Sequence, residues 1–128
     1  MIQLKRVRDS TAESDGARYL VERLWPRGVR KTALPLDGWF KDVAPTTALR
    51  KWFSHDPSKW VEFQHRYFGE LDAHADSWKP ILDAALNGTV TLVYSSHDAE
   101  HNNALALKKY LDKKLHRRAL SGSRNPAA

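Results

Sequence analysis

Cysteine is absent from the 128-residue chain, which removes disulfides, thiolate nucleophiles and cysteine-ligated zinc together. Long apolar runs are absent as well, and no stretch approaches the roughly 20 residues that cross a bilayer. The opening MIQLKRVRDS brings charge too early, with no apolar segment behind it, for a secretory signal. These absences set the expectation of a cytoplasmic protein with no membrane partner. The standard phosphate and nucleophile signatures are also missing. The chain contains no Gly-x-Gly-x-x-Gly, no Gly-x-x-x-x-Gly-Lys and no Gly-x-Ser-x-Gly. The usual dinucleotide, P-loop and serine-hydrolase designs are therefore excluded, and no cofactor is expected.

What is present describes an ordinary folded domain. Hydrophobic residues make up 41% of the chain and include five Trp, enough to fill one core at this length. The net charge of +6 tempts a nucleic-acid reading, but its placement matters. Residues 108 onward hold seven cationic side chains against Asp112 alone. The excess thus lies in the last helix and tail, and the remaining body is balanced. The expected organisation is one α/β domain over residues 1–115, followed by a basic, flexible tail over 116–128.

IQLKRV alternates apolar and polar residues and reads as a strand. RYLVERLW (18–25) reads as a second, interior strand ended by Pro26, and TVTLVYS (89–95) as a third. Between them, WFKDV is either a short strand or an extended connection. Thr46 or Thr47 caps a helix with Leu49, Trp52 and Phe53 on its apolar stripe. A longer helix over 58–73 carries Trp60, Phe63, Tyr67, Phe68 and Leu71 at helical spacing, read as core. SWKPILDAALNG gives a third helix, stopped by Asn87-Gly88. HNNALALKKYLDKKL gives the last, with Ala104, Leu107, Leu111 and Leu115 inward. The order predicts a single compact α/β domain: a small, mostly parallel sheet with helices packed on its faces, in Rossmann-like layers.

Ligands of such sheets gather beyond the carboxyl ends of the strands, and two strand ends here carry suggestive chemistry. One is RLWPRGVRK (23–31), where Arg23, Arg27 and Lys31 surround a stiff Trp25-Pro26-Arg27-Gly28 turn. Guanidinium forks match carboxylate and phosphate oxygens; an internal salt bridge is the competing role for Arg23. The other is YSSHDAEHNN (94–103), where Ser95, Ser96 or Asp98 could cap the last helix and its free N–H groups would face an anion. The expected anion ligands are Arg23, Arg27, Lys31, Tyr94, Ser95, Ser96 and Asn102, with Trp25, Pro26, Gly28 and Trp39 architectural. His97-Asp98-Ala99-Glu100-His101 also satisfies a zinc-protease pattern. It sits where the helix dipole opposes a cation, and Asp112 is the only carboxylate beyond Glu100. No metal is expected.

The blocks KRVRDS, DGARYLVERLWPRGVRK, LDGWFKDVAPTTALRKWF, EFQHRYFGEL and TLVYSSHDAEHNNALALKKYL together resemble the YeaO-like branch of the domain-of-unknown-function 488 family. The likeness runs from about Gln3 to Leu111. The family's motifs fall on Arg23, Trp25, Pro26, Arg27, Gly28, Lys31, Trp39 and Pro45, and on Tyr94, Ser95, Asn102 and Ala104. Where the family often has Asn-His-Ala, this chain has Asn102-Asn103-Ala104, which weakens a catalytic histidine there. Longer relatives carry cysteine near Tyr94 and Asn102, chemistry this chain lacks. The resemblance implies a compact α/β fold and supplies no activity, substrate or cofactor. Three readings stay open: a crevice for a phosphate- or carboxylate-bearing ligand, serving hydrolysis or transfer if catalytic; a nucleic-acid module using the basic last helix and tail; and an interaction protein whose WPRG turn is architectural.

Overall fold

Alternation in IQLKR and an unbroken apolar VTLVY produce two strands that pair side by side. The computed structural model describes residues 1–123. Its sheet has four parallel strands, β1 (Ile2–Arg6), β2 (Ala17–Leu20), β3 (Gly38–Trp39) and β4 (Val90–Tyr94), in the order β1-β4-β2-β3. The helices are α1 (Thr47–Phe53), α2 (Trp60–Ala73), α3 (Ala75–Asn87) and α4 (Asn103–Ser123). β4 is central and every one of its residues is buried, as expected of a strand flanked on both edges and covered on both faces. Among the described residues, no helix is long and apolar enough to cross a membrane.

Strand periodicity sorts the core into two. Ile2, Val90, Leu92 and Tyr94 point to one face and pack with Phe63, Tyr67, Leu82, Leu107 and Leu111 of the helices. Leu20 and Val93 point to the other, where Leu34, Trp25, Val29, Leu36 and Trp39 cover them. The α/β class and the parallel sheet are therefore as the sequence predicts, but the helices occupy a single face. The irregular connection from β2 to β3 covers the second.

β2 also stops earlier than the apolar pattern suggests. The Val21 N–H still donates to the Val93 carbonyl, but β3 pairs only with Tyr19 and Leu20. Beyond that the chain has no partner strand to follow, and Leu24 is left 68% exposed. At the other end, α4 runs to Ser123 rather than yielding to a tail at 116. His116 to Leu120 contain no helix breaker, and the first glycine of the stretch is Gly122. The remainder of the expected tail, residues 124–128, lies outside the described residues.

The second face also holds an ion cluster that sequence reading does not anticipate. Asp15 is buried and pairs with Lys5 and Arg18, both at 2.6 Å. The Lys5 ammonium, the Ala12 N–H and the Arg18 guanidinium hold its carboxyl down at about 2, from an ordinary 3.8, against the upward pull of burial. The Thr91 hydroxyl donates to the Asp15 carbonyl at 2.7 Å, which pins the β1–β2 crossover across β4. Gly16 makes this crossing feasible: its φ is 63°, and a Cβ there would lie 2.1 Å from the Thr89 carbonyl oxygen.

Candidate anion-binding crevice

A crevice of about 840 Å³ opens at the carboxyl ends of β2 and β4, where an open α/β sheet places its ligands. Its walls come from the residues after β2, the loop between β4 and α4, and the end of α1.

The β4 wall begins at Ser95, whose backbone N–H and hydroxyl both point out of the strand end. Both are already occupied. The N–H donates to Glu22 Oε1 at 2.7 Å and the hydroxyl to Oε2 at 2.6 Å. The chain thus seats one of its own carboxylates where the sequence suggests an external anion. The following loop organises itself around Asp98. Its carboxylate accepts the N–H groups of Glu100 at 2.9 Å and His101 at 3.0 Å, and lies 2.9 Å from His101 Nδ1. Those partners, the Glu100 N–H foremost, hold the Asp98 carboxyl below the usual range.

Capping of α4 falls to none of Ser95, Ser96 or Asp98. Asn102, buried, accepts the Leu105 N–H on its side-chain oxygen at 2.8 Å and donates to the Asp98 carbonyl at 2.9 Å. Asn is as good an N-cap as Ser or Asp, and eight residues of loop separate β4 from the helix. His97 to His101 therefore lie in that loop rather than on a helix face. The Asn103 side chain donates to the Val21 carbonyl at 2.9 Å and ties α4 to the end of β2.

Arg23 stands on the opposite wall, but its guanidinium is engaged. It donates to the carbonyls of Ala44 at 3.1 Å and Pro45 at 3.4 Å. That segment is fixed from behind by the buried Tyr67 hydroxyl, which donates to the Val43 carbonyl at 2.5 Å. Arg23 thus holds the wall together, the structural role weighed for it, although its partners are carbonyls and not a carboxylate.

Of the seven expected ligand residues, Arg23, Ser95, Ser96 and Asn102 line the crevice, whereas Arg27, Lys31 and Tyr94 do not. Tyr94 belongs to the helical core. Arg27 and Lys31 are carried away by the packing of Trp25. Its ring meets Trp39 edge-on at 5.4 Å and its N–H donates to the Val29 carbonyl at 2.6 Å. Gly28, at φ 77°, sits at the third position of the turn closed by the Val29 N–H to the Pro26 carbonyl, where a type II turn needs positive φ. The WPRG turn thus lies on the second sheet face, with Arg27 exposed and the Lys31 ammonium 5.9 Å from the Trp25 ring centroid.

The crevice instead gains cations from α1, Arg50 and Lys51, which the sequence reading does not single out. Both line it, with Ser54 and His55. Ser54 and His55 have φ of 49° and 56°, two consecutive non-glycine residues in the left-handed region, a conformation that costs each about 1–3 kcal/mol and concentrates at functional sites. Phe53 and Phe63, stacked at 4.4 Å, form the inner wall. Among the described residues no carboxylate pairs with Arg50, Lys51, His55 or His97, while Glu22 and Asp98 are taken by their own neighbours.

Comparison with known proteins gives a family and no activity. The profile of a family described as the inactive DUF488-N3 subclade matches residues 1–128. The uncharacterized protein YeaO of Escherichia coli K12 is 44% identical over 110 residues, covering 86% of this chain and 96% of that protein. The uncharacterized protein Rv3073c of Mycobacterium tuberculosis H37Rv is 43% identical over 111 residues, covering 87% of this chain and 93% of that protein. No solved structure matches the chain.

Proposed function

The chain belongs to the DUF488 family, in the subclade described as inactive, and from that premise we propose that it is a recognition protein that binds a phosphate- or carboxylate-bearing ligand in this crevice without transforming it. The observation that carries the reading is the imbalance of the crevice. Its two carboxylates are spent on Ser95 and on the Asp98 loop, whereas Arg50 and Lys51 line it without a carboxylate partner among the described residues.

The chemistry of the walls favours binding over turnover. With no cysteine there is no thiolate. The Ser95 hydroxyl donates to a carboxylate rather than to a histidine, and the His101 ring is committed to Asp98 through Nδ1. A ligand anion would instead meet the Arg50 fork and the Lys51 ammonium, each able to form charge-assisted hydrogen bonds of about 1.5–3 kcal/mol.

Thermal-shift titration with inorganic phosphate, against chloride at matched ionic strength, tests this. Wild-type protein should be stabilised with saturation. Arg50→Ala combined with Lys51→Ala should weaken the effect about ten-fold or more in concentration, and Arg27→Ala should leave it unchanged. A saturable shift retained by the double variant would place the anion elsewhere.

A further inference from the structure

The mouth of the crevice continues onto a row of cations that the crevice reading leaves unused. Trp60 is half-buried; it stacks on Phe63 at 5.7 Å and meets His101 of the crevice wall edge-on at 5.5 Å. The Lys109 ammonium stands 5.8 Å from its ring centroid. From Lys109 the solvent face of α4 continues through Lys113 to Arg117, all three exposed. The four-residue spacing keeps them on one face and sets them about 6 Å apart along the axis. The only carboxylate in α4, Asp112, is held by Lys108 at 2.6 Å, so nothing on the helix neutralises the row. Lys114, by contrast, turns away to cover Trp78 and Tyr110.

A point anion at Arg50 and Lys51 leaves most of a crevice of about 840 Å³ and all of this row without a role; a polyanion with evenly spaced charges engages both. We propose that the ligand is a single-stranded nucleic acid, with one phosphate at Arg50 and Lys51 and the following phosphates on Lys109, Lys113 and Arg117, a proposal that rests on the crevice reading. The combination of a cationic track with an aromatic ring, here the half-buried Trp60, is the usual means of holding single strands without regard to sequence. A single strand is favoured over a duplex because only its unstacked bases can lie against the Trp60 ring beside the track.

The test is fluorescence anisotropy with a labelled oligothymidylate of about 12 nucleotides, over a salt series. Wild-type protein should bind with a steep salt dependence. Lys109→Ala/Lys113→Ala/Arg117→Ala should lower the log–log slope by about 2, at roughly 0.7 per phosphate contact on a single strand. The charge-keeping Lys109→Arg/Lys113→Arg/Arg117→Lys variant should restore it. The triple alanine variant should keep the thermal shift with inorganic phosphate, which separates this proposal from the crevice reading. Absent oligonucleotide binding, an unchanged slope in the triple alanine variant, equal affinity for the matching duplex, or tighter binding to phosphatidylserine vesicles would overturn it. Loss of the phosphate shift in the Arg50/Lys51 variant alone would leave the crevice reading standing in each of these cases.

Discussion

Removing Glu22 should turn an internal contact into an open anion seat. In the native protein both carboxylate oxygens are engaged by Ser95, one by its N–H and one by its hydroxyl. Hydrogen bonds to a charged group contribute about 1.5–3 kcal/mol each when well shielded. Because the group is only half-buried, solvent screening reduces the pair to about 2 kcal/mol in all. At about 4 °C per kcal/mol for a domain of this size, Glu22→Ala should melt about 8 °C below wild type. The vacated N–H and hydroxyl then share the crevice with Arg50 and Lys51, so phosphate should stabilise the variant more than it stabilises wild type. At ten times its dissociation constant a ligand returns about 1.4 kcal/mol, most of the loss. Differential scanning fluorimetry with phosphate and matched chloride measures both quantities. An unchanged melting temperature, or equal phosphate stabilisation of variant and wild type, would refute the assignment of Glu22 as a resident anion.

The remaining predictions concern the scaffold. Asp15 has its carboxyl held at about 2 in the fold against an ordinary 3.8, so its contribution is complete above about pH 4 and is lost as pH falls from there toward 2. Asp15→Asn should be less stable than wild type at neutral pH yet show a flatter decline across that window, as read by acid titration of circular dichroism; a parallel decline would contradict the ion cluster. Two glycines should separate close approach from backbone freedom. Gly16→Ala forces a Cβ to 2.1 Å from a carbonyl oxygen and should cost more than about 3 kcal/mol in urea unfolding. Gly28→Ala, with open space around the new Cβ, should cost only about 1 kcal/mol of left-handed strain. Equal costs would show that the contact with Thr89 yields.

Local pattern carried much of the fold. The alternation of IQLKR, the apolar VTLVY and the helical spacing of Phe63, Tyr67 and Leu71 each depend on neighbours a few residues away, and they appear as read. Ser95 and Ser96 were legible as residues of the crevice wall because a strand-to-helix junction follows from the same patterns, whereas Asn102 came only from the family motif. What was not legible depends on partners remote in sequence. Glu22 finds Ser95 across 73 positions, and no spacing rule marks such a pair. Arg27 and Lys31 looked like ligands because they follow a strand end, but Trp25 against Trp39 commits that turn to the second sheet face. Arg50 and Lys51 carry no motif, and the pattern of their helix marks only the apolar stripe that includes Leu49 and Phe53. The end of α1, with its left-handed exit at Ser54 and His55, lines the crevice beside the β4–α4 loop, a juxtaposition that local spacing does not mark. The last helix runs past 115 because the stretch after it, although without apolar periodicity, has no breaker before Gly122 and its arginines are good helix formers.

The central claim is that an anion binds between the end of α1 and the loop after β4. Amide chemical-shift mapping of ¹⁵N-labelled protein titrated with inorganic phosphate tests it most directly. Saturable shifts should concentrate at residues 50–55 and 95–103 and be absent from the Arg50→Ala/Lys51→Ala variant. Shifts centred instead on Arg27–Lys31 and the WPRG turn would contradict it.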